Sequence, residues 1–104
     1  MAMATALVWF RRDLRSYDHA ALRYALEEND QVYCVFVFDT AILASLPKSD
    51  RRVEFIHHAL VELDTSLREN GGALIVRHGN PVYEIPRLVA SLGIDAVYVN
   101  RDAE

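Results

Sequence analysis

Charged residues stand at four places where they could converge: Arg11-Arg12-Asp13, Asp39, Arg51-Arg52 and Arg101-Asp102. Arginines and carboxylates that converge can hold a polar ligand by charge-assisted hydrogen bonds. Each also has an ordinary structural use. Arg12 and Asp13 can bridge across a loop, which contributes little at a surface. Asp39 can stop a strand and cap the connector after it. Arg52 can be a solvated residue near a helix start, where the dipole disfavours a cation. Asp102 is equally ambiguous. Only a fold that gathers them would make them a site.

Other chemistries find less support. The histidines are His19, His57, His58 and His78. His57 and His58 are adjacent and, on a helix, point about 100° apart, so they cannot chelate one metal as an i, i+4 pair would. No Ser-His-Asp spacing and no nucleophile elbow is present. Neither a metal site nor a catalytic residue is expected. Cys34 is the only cysteine, so no internal disulfide can form. It sits in an apolar run and reads as a small buried hydrophobe.

The elements that must position the charges alternate. Residues 6–10 form a short apolar run that ends in Arg11-Arg12-Asp13, a buried strand. Asp18 can cap the next segment, where Ala21, Leu22, Ala25 and Leu26 make a helical stripe. Residues 32–38 are β-branched and aromatic without a break, a strand buried on both faces and stopped by Asp39. After a connector containing Pro47, Ser49 or Asp50 caps a long helix. Its Val53, Ile56, Leu60, Leu63 and Leu67 share one face, and Gly71-Gly72 stops it. Residues 73–76 are a third strand. Gly79-Asn80-Pro81 opens a third helical segment with Leu88, Val89 and Leu92 as core contacts. Pro86 leaves its start open, and regular helix from about Glu84 would place that proline in the first turn. Gly93 ends it, and residues 96–99 are a fourth strand.

Strand–helix alternation implies an α/β, Rossmann-like doubly wound parallel sheet with helices on both faces. Right-handed crossovers favour the strand order 3-2-1-4. In such sheets ligands bind beyond the carboxyl ends of the strands, beside the switch point. Arg11, Arg12, Asp13, Asp39, Arg101 and Asp102 all come directly after those ends. The first strand-to-helix turn has no glycine, and no Walker A loop occurs, which argues against classical NAD binding and P-loop chemistry.

The chain has 104 residues, 52% of them hydrophobic and 25% charged, enough for one small folded domain. Its net charge of −4, with eleven basic residues, makes it a poor stand-alone nucleic-acid binder. No apolar run approaches the ~20 residues of a membrane span. No secretory signal is visible at the start. A cytoplasmic protein that binds no membrane is expected.

The run Leu7-Val-Trp-Phe-Arg-Arg-Asp-Leu-Arg15, with Asp18 and Ala21-Leu22, resembles the amino-terminal signature of the DNA photolyase/cryptochrome family. Arg51-Arg52-Val53, Gly71-Gly72, Gly79-Asn80-Pro81 and residues 97–104 agree with it in order and spacing. The resemblance implies the N-terminal α/β antenna domain, spanning residues 1–104, of a deoxyribodipyrimidine photolyase-like protein. The family's larger helical domain holds FAD and damaged DNA, and its light-driven chemistry splits pyrimidine dimers. The resemblance also implies an antenna chromophore, deazaflavin or methenyltetrahydrofolate in type. Asp39, Arg52 and Asp102 match positions lining a deazaflavin-type pocket, with Arg12 and Phe36 in the matching strand-end region. The main folate anchors of the family fall just beyond Glu104. His19 departs from the family's usual asparagine, and Ala103 from a commonly larger residue.

The catalytic residues of the family lie outside these 104 residues, so the chain alone is expected to bind no FAD, repair no dimer and touch DNA only through the helical domain. Its fourth strand is expected to offer an unpaired edge that supports a homodimer. Two alternatives stay open: a cryptochrome-type blue-light photoreceptor without repair activity, and a nucleotide-binding module like the universal stress proteins.

Overall fold

The computed structural model describes residues 4–11, 14, 19–40, 51–69 and 72–100. The elements are β1 (Thr5–Phe10), α1 (Ala20–Glu28), β2 (Gln31–Asp39), α2 (Arg51–Glu69), β3 (Leu74–Gly79), α3 (Pro81–Leu92) and β4 (Ala96–Val99). The four strands form one sheet in the order β3-β2-β1-β4, and every pairing is parallel. The expected topology is therefore the observed one. Right-handed crossovers from β1 to β2 to β3 keep α1 and α2 on one face, and the return to β4 sends α3 to the other.

The core divides along that line. On the first face Ala6, Val8, Phe10 and Cys34 meet Ala21, Leu22 and Ala25 of α1 and Leu63 and Leu67 of α2. Phe36 and Phe38 continue this layer against Leu60. On the second face Leu7, Val35 and Val37 meet Leu88 of α3, with Ile85, Val89 and Leu92 around them. Successive residues of β1 thus serve opposite layers, and Leu7 and Val8 are both fully buried. The thiol of Cys34, packed in the first layer, is pushed up to about 12 by burial.

Three sequence expectations are revised. First, α1 is capped by His19, whose Nδ1 accepts from the Leu22 N–H at 3.1 Å. The His19 ring is buried 4.6 Å from that of Phe10, so one side chain caps the helix and fills the core. Asp18 lies outside the described residues. Second, α3 begins at Pro81, not near Glu84. The Asn80 Oδ1 accepts from the Val82 N–H at 3.0 Å, and Pro81 has no N–H to leave unpaired in the first turn. Pro86 therefore sits inside the helix, on its exposed side. Third, Leu26 is 59% exposed and does not join the core stripe of α1.

The helix ends obey backbone geometry. Gly93 adopts φ 65°, ψ 45°, the left-handed conformation that favours glycine, and the Ile94 N–H reaches back to the Val89 carbonyl. The Gly72 N–H makes the equivalent bond to the Leu67 carbonyl at 2.7 Å. Residues 49, 50 and 71, expected to cap and stop α2, lie outside the described part.

Asp64 ties α2 to the start of β3. Its Oδ1 accepts from the Leu74 N–H at 3.0 Å and its Oδ2 from the Arg68 Nε at 2.9 Å. The Leu74 bond, then the Arg68 bond, hold its carboxyl below the usual carboxylate range. A depressed folded value stabilises the fold above the unfolded pKa, roughly 4, and that contribution is lost as pH falls through the folded value. Asp64→Asn keeps an oxygen for Leu74 but cannot be protonated. Its denaturant stability should therefore fall less steeply than the parent's when pH is lowered below about 4.

Candidate functional site

The order β3-β2-β1-β4 sets the carboxyl ends of β2, β1 and β4 side by side. Asp39, half-buried, is the last residue of β2. Phe36, three residues earlier, lies in register with Phe10, the last residue of β1. Phe36 is buried and meets Phe38 edge to face at 4.9 Å, with Leu60, Ile56 and Leu14 around the pair. Arg52 is the second residue of α2 and is exposed. Arg12 and Asp102 lie outside the described residues. Phe36, Asp39 and Arg52 therefore belong to the β2–α2 unit. Phe36 belongs to the apolar layer beside α2, whereas Asp39, at the strand end, has the alternation of Val35 and Val37, which face α3.

The N-terminus of α1 abuts the same rim but is already occupied. The Asn100 Oδ1, just past β4, accepts from the Ala21 N–H at 2.9 Å, while His19 takes the Leu22 and Arg23 N–H groups. In a dinucleotide fold these donors would face a pyrophosphate. Here the Asn100 and His19 side chains satisfy the first two and the His19 backbone carbonyl the third, which agrees with the glycine-free turn. Arg11 lies over the Trp9 ring, 5.2 Å from its centroid, on the face opposite α1.

A separate cleft of about 230 Å³ opens between α2 and β3, lined by Phe38, His57, Leu60, Val61, Asp64, Leu74, Val76 and His78. The His78 ring stacks on Phe38 at 4.8 Å and that of His57 lies 5.1 Å away, tilted by 32°. The sequence offered no sign of this grouping, because the β2–β3 register sets His78 beside Phe38 and the packing of α2 brings His57 to the same ring. Among the described residues no three histidines, cysteines or carboxylates group as metal ligands, and no helix is long and apolar enough to cross a membrane.

Residues 6–104 match the DNA photolyase family. The chain belongs to that family. It is 38% identical over 103 residues to a cryptochrome DASH of Gloeobacter violaceus, covering 94% of this chain and 21% of that protein. To a deoxyribodipyrimidine photo-lyase of Streptomyces griseus it is 36% identical over 97 residues, 93% of this chain and 21% of the relative. A bacterial class III photolyase from Agrobacterium tumefaciens superposes with a TM-score of 0.86 at 31% identity, over 98% of this chain and 20% of that one. This photolyase-family chain thus spans about a fifth of the length of the relatives it matches. The universal-stress-protein alternative falls away, since the family match covers nearly every residue.

In this photolyase-family domain Asn100 joins the sheet rim to α1, so its loss should be felt in stability. Asn100→Ala leaves the Ala21 N–H without its acceptor and should cost about 1 kcal/mol. Asn100→Asp keeps the acceptor and should lose less. Urea unfolding of the two variants checks the order.

Proposed function

We propose that this chain is the antenna-chromophore domain of a photolyase/cryptochrome-type protein, with Arg12, Phe36, Asp39, Arg52 and Asp102 at the chromophore. The observation that carries the proposal is the gathering of the β1, β2 and β4 carboxyl ends at one rim, with Asp39 at the end of β2. The chromophore is a fused-ring compound of the deazaflavin or methenyltetrahydrofolate type. When bound it supplies light absorption and passes excitation energy to a flavin. The chain's own residues bind and orient it. Phe36 and its neighbours exclude water from one side of the ring system. Asp39 accepts hydrogen bonds from ring N–H or hydroxyl groups, and Arg52 offers a planar donor fork to carbonyl oxygens.

In the whole protein, flavin chemistry and contact with damaged DNA belong to the polypeptide that the longer relatives carry. The net charge of −4 supports this division, because the domain by itself attracts phosphate poorly. The whole protein acts in the cytoplasm on pyrimidine dimers. A photoreceptor without repair is the second reading, favoured by the similarity to proteins named cryptochromes as well as to a photolyase.

Titration with a deazaflavin and with methenyltetrahydrofolate, read by fluorescence anisotropy, tests the assignment. At least one of them should bind the chain. Asp39→Ala and Arg52→Ala should each weaken binding about tenfold or more, the loss of one charge-assisted hydrogen bond. Binding unchanged in both variants would remove these residues from the site.

A further inference from the structure

His19 is buried, whereas His57, His58 and His78 are exposed. Its ring lies 4.6 Å from that of Phe10, and its Nδ1 accepts from the Leu22 N–H at 3.1 Å. A ring nitrogen that accepts a hydrogen bond carries no proton, so this geometry requires the neutral imidazole with its proton on Nε2. A proton on Nδ1 would set two N–H donors against each other with no acceptor between them. It would also place a cation at a helix N-terminus, where the dipole opposes it, and in a site shut off from water.

The charged and titratable groups around His19 come from three elements. On α1, Arg23 turns its guanidinium over the Tyr24 ring, 5.2 Å from the centroid. On β1, Arg11 lies over Trp9, on the face opposite α1. From β4, the Tyr98 hydroxyl accepts from the Asn29 Nδ2 at the far end of α1. The connector from Phe10 to His19 carries Arg12, Asp13, Arg15 and Asp18, which lie outside the described residues. The start of α1 hangs on the cap. Its first three N–H groups, from Ala21, Leu22 and Arg23, go to the Asn100 Oδ1, the His19 Nδ1 and the His19 carbonyl. The first of these bonds ties the helix to the end of β4, and the contact with Phe10 ties it to the end of β1.

We propose that His19 is a pH-sensitive latch. Neutral, it fastens the start of α1 to the carboxyl ends of β1 and β4; protonated, it releases them and loosens the rim on its α1 side. The sign follows from the neutral form being the one the fold holds. A histidine in an unfolded chain titrates near pH ~6.5. Held below that value, His19 keeps the latch closed at higher pH. The contribution is lost as pH falls from ~6.5 toward the folded value, by up to about tenfold in the closing equilibrium per pH unit for one proton. This window lies above that of Asp64, so the two groups act at separate pH.

Amide hydrogen exchange of the chain, read as protection factors, tests the latch. Between about pH 7 and about pH 5 the Ala21 and Leu22 N–H groups should lose about tenfold or more in protection, while Ile94, bonded to Val89 at the end of α3, keeps its own. His19→Asn retains an acceptor for the Leu22 N–H and has no proton to take up, so the acid loss should vanish in it. A second arm needs no variant. Long-range proton–nitrogen NMR of the imidazoles should show His19 with its proton on Nε2 at neutral pH and titrating below the ~6.5 of an unfolded chain. A proton found on Nδ1 would overturn the proposal. So would titration above the unfolded value, which would mean that a connector carboxylate outweighs the cap. An equal acid loss of protection in His19→Asn would assign the response to other groups and overturn it as well.

Discussion

The structure depends on β1 being buried on both faces and paired on both edges. Leu7 and Val8 have no exposure, yet they belong to different layers of the core. A strand placed this way must sit centrally, with β2 on one side and β4 on the other. Its amino end is pinned on both sides: Asp95 Oδ2 accepts from the Thr5 N–H at 2.8 Å and Asp30 Oδ2 from the Ala4 N–H at 3.0 Å. With that end tied and the strands parallel, every carboxyl end points to the same rim. The placement of Asp39 is a consequence of the burial of β1 more than of any contact of its own.

Much of this was legible in the residues because parallel strands announce themselves. A run such as 32–38, apolar at every position, fits only a strand covered on both faces, and Cys34 to Phe38 are all buried. Leu60, Leu63 and Leu67 had helical spacing and became the buried stripe of α2. Strand ends were harder: β3 runs on through Arg77, His78 and Gly79, because pairing with Val37, Phe38 and Asp39 extends it past its apolar part. The cap at His19 was hidden for another reason. Histidine caps a helix only when its ring is held, and Phe10, which holds it, is nine residues away in sequence. Likewise Asn100 and Ala21 meet only after the sheet closes.

The candidate site was legible in part. Phe36 and Asp39 take the expected places because they are strand residues, whose positions are set by register. Arg52 falls in the first turn of α2 as expected, yet its relation to Asp39 depends on the connector 41–50, which is outside the described residues along with Arg12 and Asp102. The cleft flanked by His57 and His78 was invisible in sequence, since one lies on a helix and the other on an edge strand. Two apolar surfaces thus lie near β2, the proposed one at the strand-end rim and another over the β3 edge.

A structure of the chain crystallised with the chromophore that binds it would decide between them. The ring system should lie at the rim over Phe36, with Asp39 within hydrogen-bonding distance of a ring substituent. A ring lodged instead between His57 and His78, with Asp39 untouched, would contradict the assignment of the strand-end rim as the antenna site.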